Sequence, residues 1–307
     1  MDLTRHLHTF GYYLKRRFGE PVHKLSLSGD FTCPNRDGTL GRGGCTFCNV
    51  RSFGRDAAEL TISQQLEREK AKTDRAGKYL AYFQAYTSTY AEVEVLKALY
   101  DEAAGAADVV GLCVGTRPDC VPDAALDLLA GYRDAGREVW LELGLQTAND
   151  ATQALIRRGH TLADYRDAAE RARARGLKVC AHLIVGLPGE GWEQAHQTLA
   201  TVLDIGVAGL KLHPLMIVRG SRMAAQYRRG EVQPQSLDDY ADLAASLIRH
   251  TPADVVFHRV SATAQAPTLI APDWCGPRWT ALQAIGARLA RAGGQGSALG
   301  QAWPPAD

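Results

Sequence analysis

The sequence predicts an α/β protein: a partial (β/α)6 TIM-type barrel followed by a C-terminal α/β extension. Two observations carry this expectation. Six short apolar runs, at 22–31, 79–87, 107–116, 138–146, 177–186 and 207–215, alternate with helix-length segments at 59–76, 91–104, 122–135, 150–174 and 190–205. Parallel strands need such crossover connections. Polar side chains also recur on one face of these runs near their C-terminal ends, where parallel barrels gather their sites.

Composition fits this architecture. The chain has 307 residues, 46% of them hydrophobic, enough for one large core with an appendage. Its 35 basic and 34 acidic side chains leave a net charge of +1, so no whole-molecule field argues for nucleic acid. The first twenty residues, MDLTRHLHTFGYYLKRRFGE, carry charges throughout, and no apolar run reaches the ~18 residues of a membrane span. The expectation is a cytoplasmic protein without membrane contact. Seven cysteines, an odd number, favour a reducing compartment over a disulfide framework.

The elements divide in order. Residues 1–21 form an N-terminal helical segment and 22–218 the barrel. Over 219–292 the alternation lapses: Arg219 to Gln235 is polar, then come a helix at 236–250, a strand at 254–260 and a helix at 277–292. The tail 293–307, GGQGSALGQAWPPAD, is of low complexity and is expected to be disordered.

Three cysteines, Cys33, Cys45 and Cys48, lie in the loop after the first strand with the spacing C-x11-C-x2-C. Three thiolates on an iron-sulfur cube leave one iron open to a small ligand, whereas closed structural sites take four protein ligands. An alternative is a zinc site completed by Cys120 or Cys275, which makes the chain a structural or interaction module without catalysis. Cys113, Cys120, Cys180 and Cys275 otherwise read as small buried hydrophobes.

Period-two alternation places Tyr82, Gln84 and Tyr86 on one face of the second strand and Glu142, Gly144 and Gln146 on one face of the fourth. The third strand ends at Arg117 and Asp119 around Pro118. The fifth turns Cys180, His182, Ile184 and Gly186 inward, and the sixth Lys211 and His213. Each polar residue alone is more often a hydrogen-bonded core residue than a catalyst. Together they point to a polar cavity. Glu142, in a leucine-rich strand, needs a partner or a ligand to offset its desolvation.

The cysteine loop, Phe47 before the last cysteine, the GLQT of strand four, the RRGH after it and the IVGLPGE of strand five together resemble the radical S-adenosylmethionine (SAM) superfamily. The likeness is to the branch of the Elongator catalytic subunit and oxygen-independent coproporphyrinogen oxidase, most of all to the small YhcC-like bacterial group. It covers roughly 22–218, more weakly 219–292. The first spacing exceeds the superfamily's usual C-x3-C-x2-C by eight residues, and glycines at 38, 41, 43 and 44 let the excursion return.

The resemblance implies that Cys33, Cys45 and Cys48 bind a [4Fe-4S] cluster whose fourth iron is chelated by SAM. It implies that Phe47 lies near the adenine, that Gln84 meets the SAM amino group although the usual Gly-Gly-Glu is absent, and that Glu142, Gln146 and Arg158 contact ribose and carboxylate. Gly186 then lets the backbone approach the adenine. A small reductant such as flavodoxin or ferredoxin feeds an electron to the cluster, and reductive cleavage of SAM gives a 5′-deoxyadenosyl radical that modifies a substrate. Arg117, His182, Lys211 and His213 are left for the substrate side. The substrate is a small molecule or an RNA. RNA is implied by the Elongator likeness and by basic clusters at Lys15, Arg16, Arg17 and at Arg222, Arg228, Arg229, though such runs, like Arg171, Arg173 and Arg175, also suit solvated helix faces.

Overall fold

Seven parallel strands form one curved half-barrel in the computed structural model, which describes residues 3–49, 60–73 and 77–303. In chain order they are β1 (Val22–Leu27), β2 (Lys78–Phe83), β3 (Val109–Thr116), β4 (Glu138–Gln146), β5 (Lys178–Val185), β6 (Gly209–Pro214) and β8 (Val256–Arg259). Each pairs with the next in sequence, β8 with β6. The sheet has one strand more than the barrel expected from the sequence, because the strand assigned to the extension adds to its edge. A two-residue strand, β7 (Ile217–Val218), instead pairs antiparallel with β9 (Leu269–Ala271) over the mouth.

The outer face is apolar and covered by α3 (Ile62–Lys70), α4 (Val93–Ala104), α5 (Asp123–Asp134), α7 (Leu162–Ala174), α8 (Trp192–Ile205), α10 (Leu237–Arg249) and α11 (Thr280–Ala292). These helices follow capping chemistry visible in the sequence. Thr61 and Thr161 each close a capping box, on Gln64 and Asp164. The expected helix 59–76 is shorter, and 50–59 and 74–76 lie outside the described residues. The single helix expected at 150–174 is two, α6 (Asp150–Leu155) and α7, because a second cap at Thr161 restarts the chain after the RRGH turn.

The N-terminal helix α1 (Phe10–Phe18) plugs the bottom of the barrel. Thr9 caps it by accepting from the Tyr12 amide, and Phe10 and Leu14 enter an inner cluster with Leu80, Tyr82, Trp140 and Val256. Phe10 stacks on His258, centroids 3.9 Å apart, and meets Trp140 edge-on. The fully buried Glu138 accepts from Tyr13, Lys178 and Trp140.

The tail differs from expectation. Residues 293–303 pack back on the domain: the Gln295 amide group donates to the Pro252 and Val255 carbonyls and accepts from the His8 amide, Ala298 is buried, and Trp303 stacks on His196. Backbone bonds from Gln295 to His6 and from Ala298 to Arg249 add to these contacts, which composition alone does not reveal.

Candidate active site

The cysteine loop closes on itself through local geometry. Cys33 sits at the N-cap of α2 (Pro34–Asp37), with Pro34 at the first helical position. The chain then turns back through Gly38, Gly43 and Gly44, all at positive φ, and the Gly44 amide donates to the Asn35 carbonyl. The segment holding Cys45 and Cys48 is tied at both sides: the Thr46 amide donates to Ile156, and its carbonyl accepts from Met223 in α9 (Arg222–Arg228). That helix, capped by Ser221, lies inside the stretch read as polar and holds the loop from the extension.

All three cysteines line one cavity of about 260 Å3 at the C-terminal ends of the strands. Of the residues singled out in the sequence, Phe47, Gln84, Arg117, Gln146, Arg158, His182, Lys211 and His213 line it as well. Glu142 and Gly186 do not. Glu142 is buried below the floor, where it pairs with Lys24, with Lys211 at 3.0 Å, with His182 at 2.8 Å and with His258 at 2.9 Å. Those four partners satisfy a carboxylate that the resemblance places, with Gln146 and Arg158, among the ribose and carboxylate contacts. A Cβ on Gly186 would instead meet the Gln235 side chain.

Donors surround the sulfurs. Arg36 Nη2 lies 3.5 Å from Cys48 Sγ, and Asn35 Nδ2 and Arg158 Nη1 each lie 3.5 Å from Cys45 Sγ. Hydrogen bonds to sulfur stabilise ligating thiolates. Arg158 is fixed by its Nη2 donating to the Gly144 carbonyl at 2.6 Å, while its buried Nε has no acceptor among the described residues. Arg117, expected on the substrate side, lies on the cysteine side: Asp119 holds it bidentate, and Nη1 donates to the Arg158 carbonyl.

Two strand ends carry backbone strain. Tyr86 and Gln146 have φ of +63° and +79° without being glycine, and both face the cavity. Such conformations concentrate where side chains must be aimed. The wall near them lacks side chains at Gly115 and Gly144; a Cβ on Gly144 would lie 2.6 Å from Arg158 Nη2 and 2.9 Å from Gln146 Nε2.

Electrostatics divide the cavity floor. Although burial opposes ionisation, Lys211 and Lys24 hold Glu142 well below the usual carboxylate range. Burial, reinforced by Lys211, pulls His182 down to about 4, and burial with Arg259 pulls His213 to about 3. Both rings are neutral near pH 7. Burial and Lys24 do the same to His258, at about 3. Sequence reasoning missed Lys24, a lone cation in an apolar strand, and His258 and Arg259, whose strand was read as lying outside the barrel.

Among the described residues, no three His, Cys, Asp or Glu side chains converge on a single-ion position. The cysteines ring the mouth instead, with arginines and an asparagine behind them and the unpaired Arg158 Nε beside an uncovered glycine wall. That set fits an anionic thiolate-bound cluster with a small carboxylate-bearing ligand.

The family model "Radical SAM superfamily" matches residues 37–202, and "Radical_SAM C-terminal domain" matches 207–291. The chain belongs to the radical SAM superfamily. It is 56% identical over 306 residues to protein YhcC of Escherichia coli K12, covering 99% of both chains. It is 31% identical over 154 residues to a tRNA uridine(34) acetyltransferase of Dehalococcoides mccartyi, covering 49% of this chain and 33% of that one. The structure of Methanocaldococcus infernus Elp3 with an N-terminal deletion superposes with a TM-score of 0.61 at 17% identity, over 89% of this chain and 63% of that chain, so the present chain spans under two thirds of it. The protein is therefore a radical SAM enzyme that uses a [4Fe-4S] cluster and SAM, with a partial-barrel fold.

Proposed function

We propose that Cys33, Cys45 and Cys48 ligate the cluster, that Phe47, Gln84, Gln146 and Arg158 hold SAM, and that His182, Lys211 and His213 face the substrate. The observation that carries this reading is that all ten side chains line one cavity. When bound, the cluster and SAM supply a 5′-deoxyadenosyl radical for hydrogen abstraction from the substrate. The chain's own residues do the rest. Arg36, Asn35 and Arg158 donate toward the sulfurs, and the free Arg158 Nε is available to a carboxylate. Apolar Ile184, Leu215, Met216 and Val218 restrict water in the cavity.

Equilibrium dialysis of SAM against the anaerobically purified enzyme tests the division. Arg158→Gln and Gln146→Ala are expected to weaken SAM binding by about tenfold or more with iron retained, and His213→Gln to leave it within twofold. Unchanged binding in Arg158→Gln overturns the assignment. A small reductant such as flavodoxin or ferredoxin delivers the electron, and the seven unpaired cysteines support a reducing, cytoplasmic setting. No helix among the described residues is long and apolar enough to cross a membrane.

RNA is a second reading, supported by the name of the tRNA-acting relative. The basic clusters give it little support. Lys15, Arg16 and Arg17 lie on α1, at the barrel end away from the cavity, and Arg17 pairs with Glu138. Arg229 pairs with Glu231, and Arg222 and Arg228 donate to backbone carbonyls. A tRNA gel shift with a steep salt dependence would favour RNA; none is expected at physiological salt.

A further inference from the structure

The cavity lining is electrically one-sided. Among the described residues, five cationic side chains line it, Arg36, Arg117, Arg158, Lys211 and Arg259, and no Asp or Glu does. Arg36 and Arg158 face the sulfurs, and Arg117 is matched by Asp119. Lys211 and Arg259 stand apart on the opposite wall, formed by β6 and β8.

The backbone aims Arg259 there. Gly209 and Leu210 pair with Val256 and Phe257, but the register then slips so that Lys211 pairs with Arg259. Had the ladder continued regularly, His258 would oppose Lys211. A slip at the rim of a barrel re-aims a side chain; here His258 reaches Glu142 beneath the floor, and Arg259 reaches the cavity beside Lys211. Glu142 answers one of the three cations Lys24, Lys211 and Arg259 and leaves the other two without a counter-charge. Among the described residues the Arg259 guanidinium has no hydrogen-bond or ion-pair partner, and the Lys211 ammonium donates only to Tyr82, at 2.7 Å, and Glu142. Lys211 is buried at the floor and Arg259 is exposed at the rim, so an anionic group that reaches the Lys211 ammonium through the cavity also comes beside the Arg259 guanidinium.

We propose that Lys211 and Arg259, with His213 beside them, form a subsite for the acidic group, a carboxylate or phosphate, of a small-molecule substrate. The inference rests on the reading of this cavity as the radical site and adds the substrate's chemical class. A terminal group suits the place better than a polymer phosphodiester, because Lys211 lies at the enclosed floor with its side chain 7% exposed, within reach of the end of a molecule but not of a chain that continues on both sides.

The test is calorimetric titration of the anaerobically purified holoenzyme with sodium phosphate and, separately, sodium succinate, each against sodium chloride of matched ionic strength. Saturable binding of at least one of the two is expected, weakened about tenfold in Arg259→Gln, largely restored in Arg259→Lys, and unaltered in Arg229→Gln, a remote surface change. Which anion binds separates phosphate from carboxylate. No saturable binding, or equal binding by Arg259→Gln and the parent, overturns the subsite. So does a site that takes up tRNA but neither small anion. Iron content and SAM dialysis, measured on the same samples, report the cluster and SAM assignments independently.

Discussion

Glu142 shows how a single residue organises the floor of this site. A carboxylate with no solvent exposure has to be matched, and four basic groups from β1, β5, β6 and β8 do so. Glu142→Gln removes the charge that Lys24 and Lys211 share while keeping the volume. The expected loss is on the order of 3 kcal/mol, seen as a lower urea midpoint with an unchanged slope. A loss below ~1 kcal/mol would mean that the cations are solvated rather than held by the carboxylate. The sequence showed that Glu142 needed a partner, because one glutamate among leucines is costly, yet it could not show which. Lys24 and His258 lie more than a hundred residues away in opposite directions, and only the closed sheet brings them together. The cysteines were legible for the opposite reason: Cys45 and Cys48 are sequence neighbours, and their spacing is itself the chemistry.

At the scale of elements, close strand approach sets strict limits. Gly111 lies where β3 meets the start of β4, and a Cβ there would overlap the Glu138 backbone carbonyl. Gly111→Ala is expected to cost about 3 kcal/mol or to prevent accumulation of folded protein, whereas Gly131→Ala, at an exposed position of α5 with nothing near its Cβ, is expected to be neutral or stabilising by up to ~1 kcal/mol. Thermal melts of the two variants measure this contrast. The repeating strands and helices were readable because apolar periodicity is local. The seventh strand was placed outside the barrel because strand neighbours depend on where the chain returns, and the intervening helices and β7 hide that return. The split between α6 and α7 was in principle readable, since Thr161 with Asp164 is a start signal inside the longer apolar pattern.

Over the whole molecule, buried histidines tie stability to pH. His182 and His196 are drawn to about 4, and His213 and His258 to about 3, in each case first by burial. The unfolded chain takes up these protons near 6.5, while the folded chain resists them until well below 5. Between those values the unfolded state binds more protons, so stability is full above about pH 6.5 and falls on acidification, by on the order of 2 kcal/mol for a single such histidine by pH 5. Glu142, held low, adds to the loss only below the ordinary carboxylate range. Urea midpoints from pH 7.5 to 5.5 should decline, and a flat profile would contradict the burial of neutral rings. The same compact interior keeps the cysteine mouth, the arginines behind it and the neutral histidines of the floor in one cavity, which is the basis of the functional account.

The most direct measurement is 5′-deoxyadenosine, quantified by mass spectrometry after anaerobic reconstitution with iron, sulfide, dithionite and SAM. The parent protein should form it, and Cys33→Ser, Cys45→Ser and Cys48→Ser should each lose both the bound iron and the product. Product formation undiminished in any one of the three would contradict the assignment of that cysteine to the cluster.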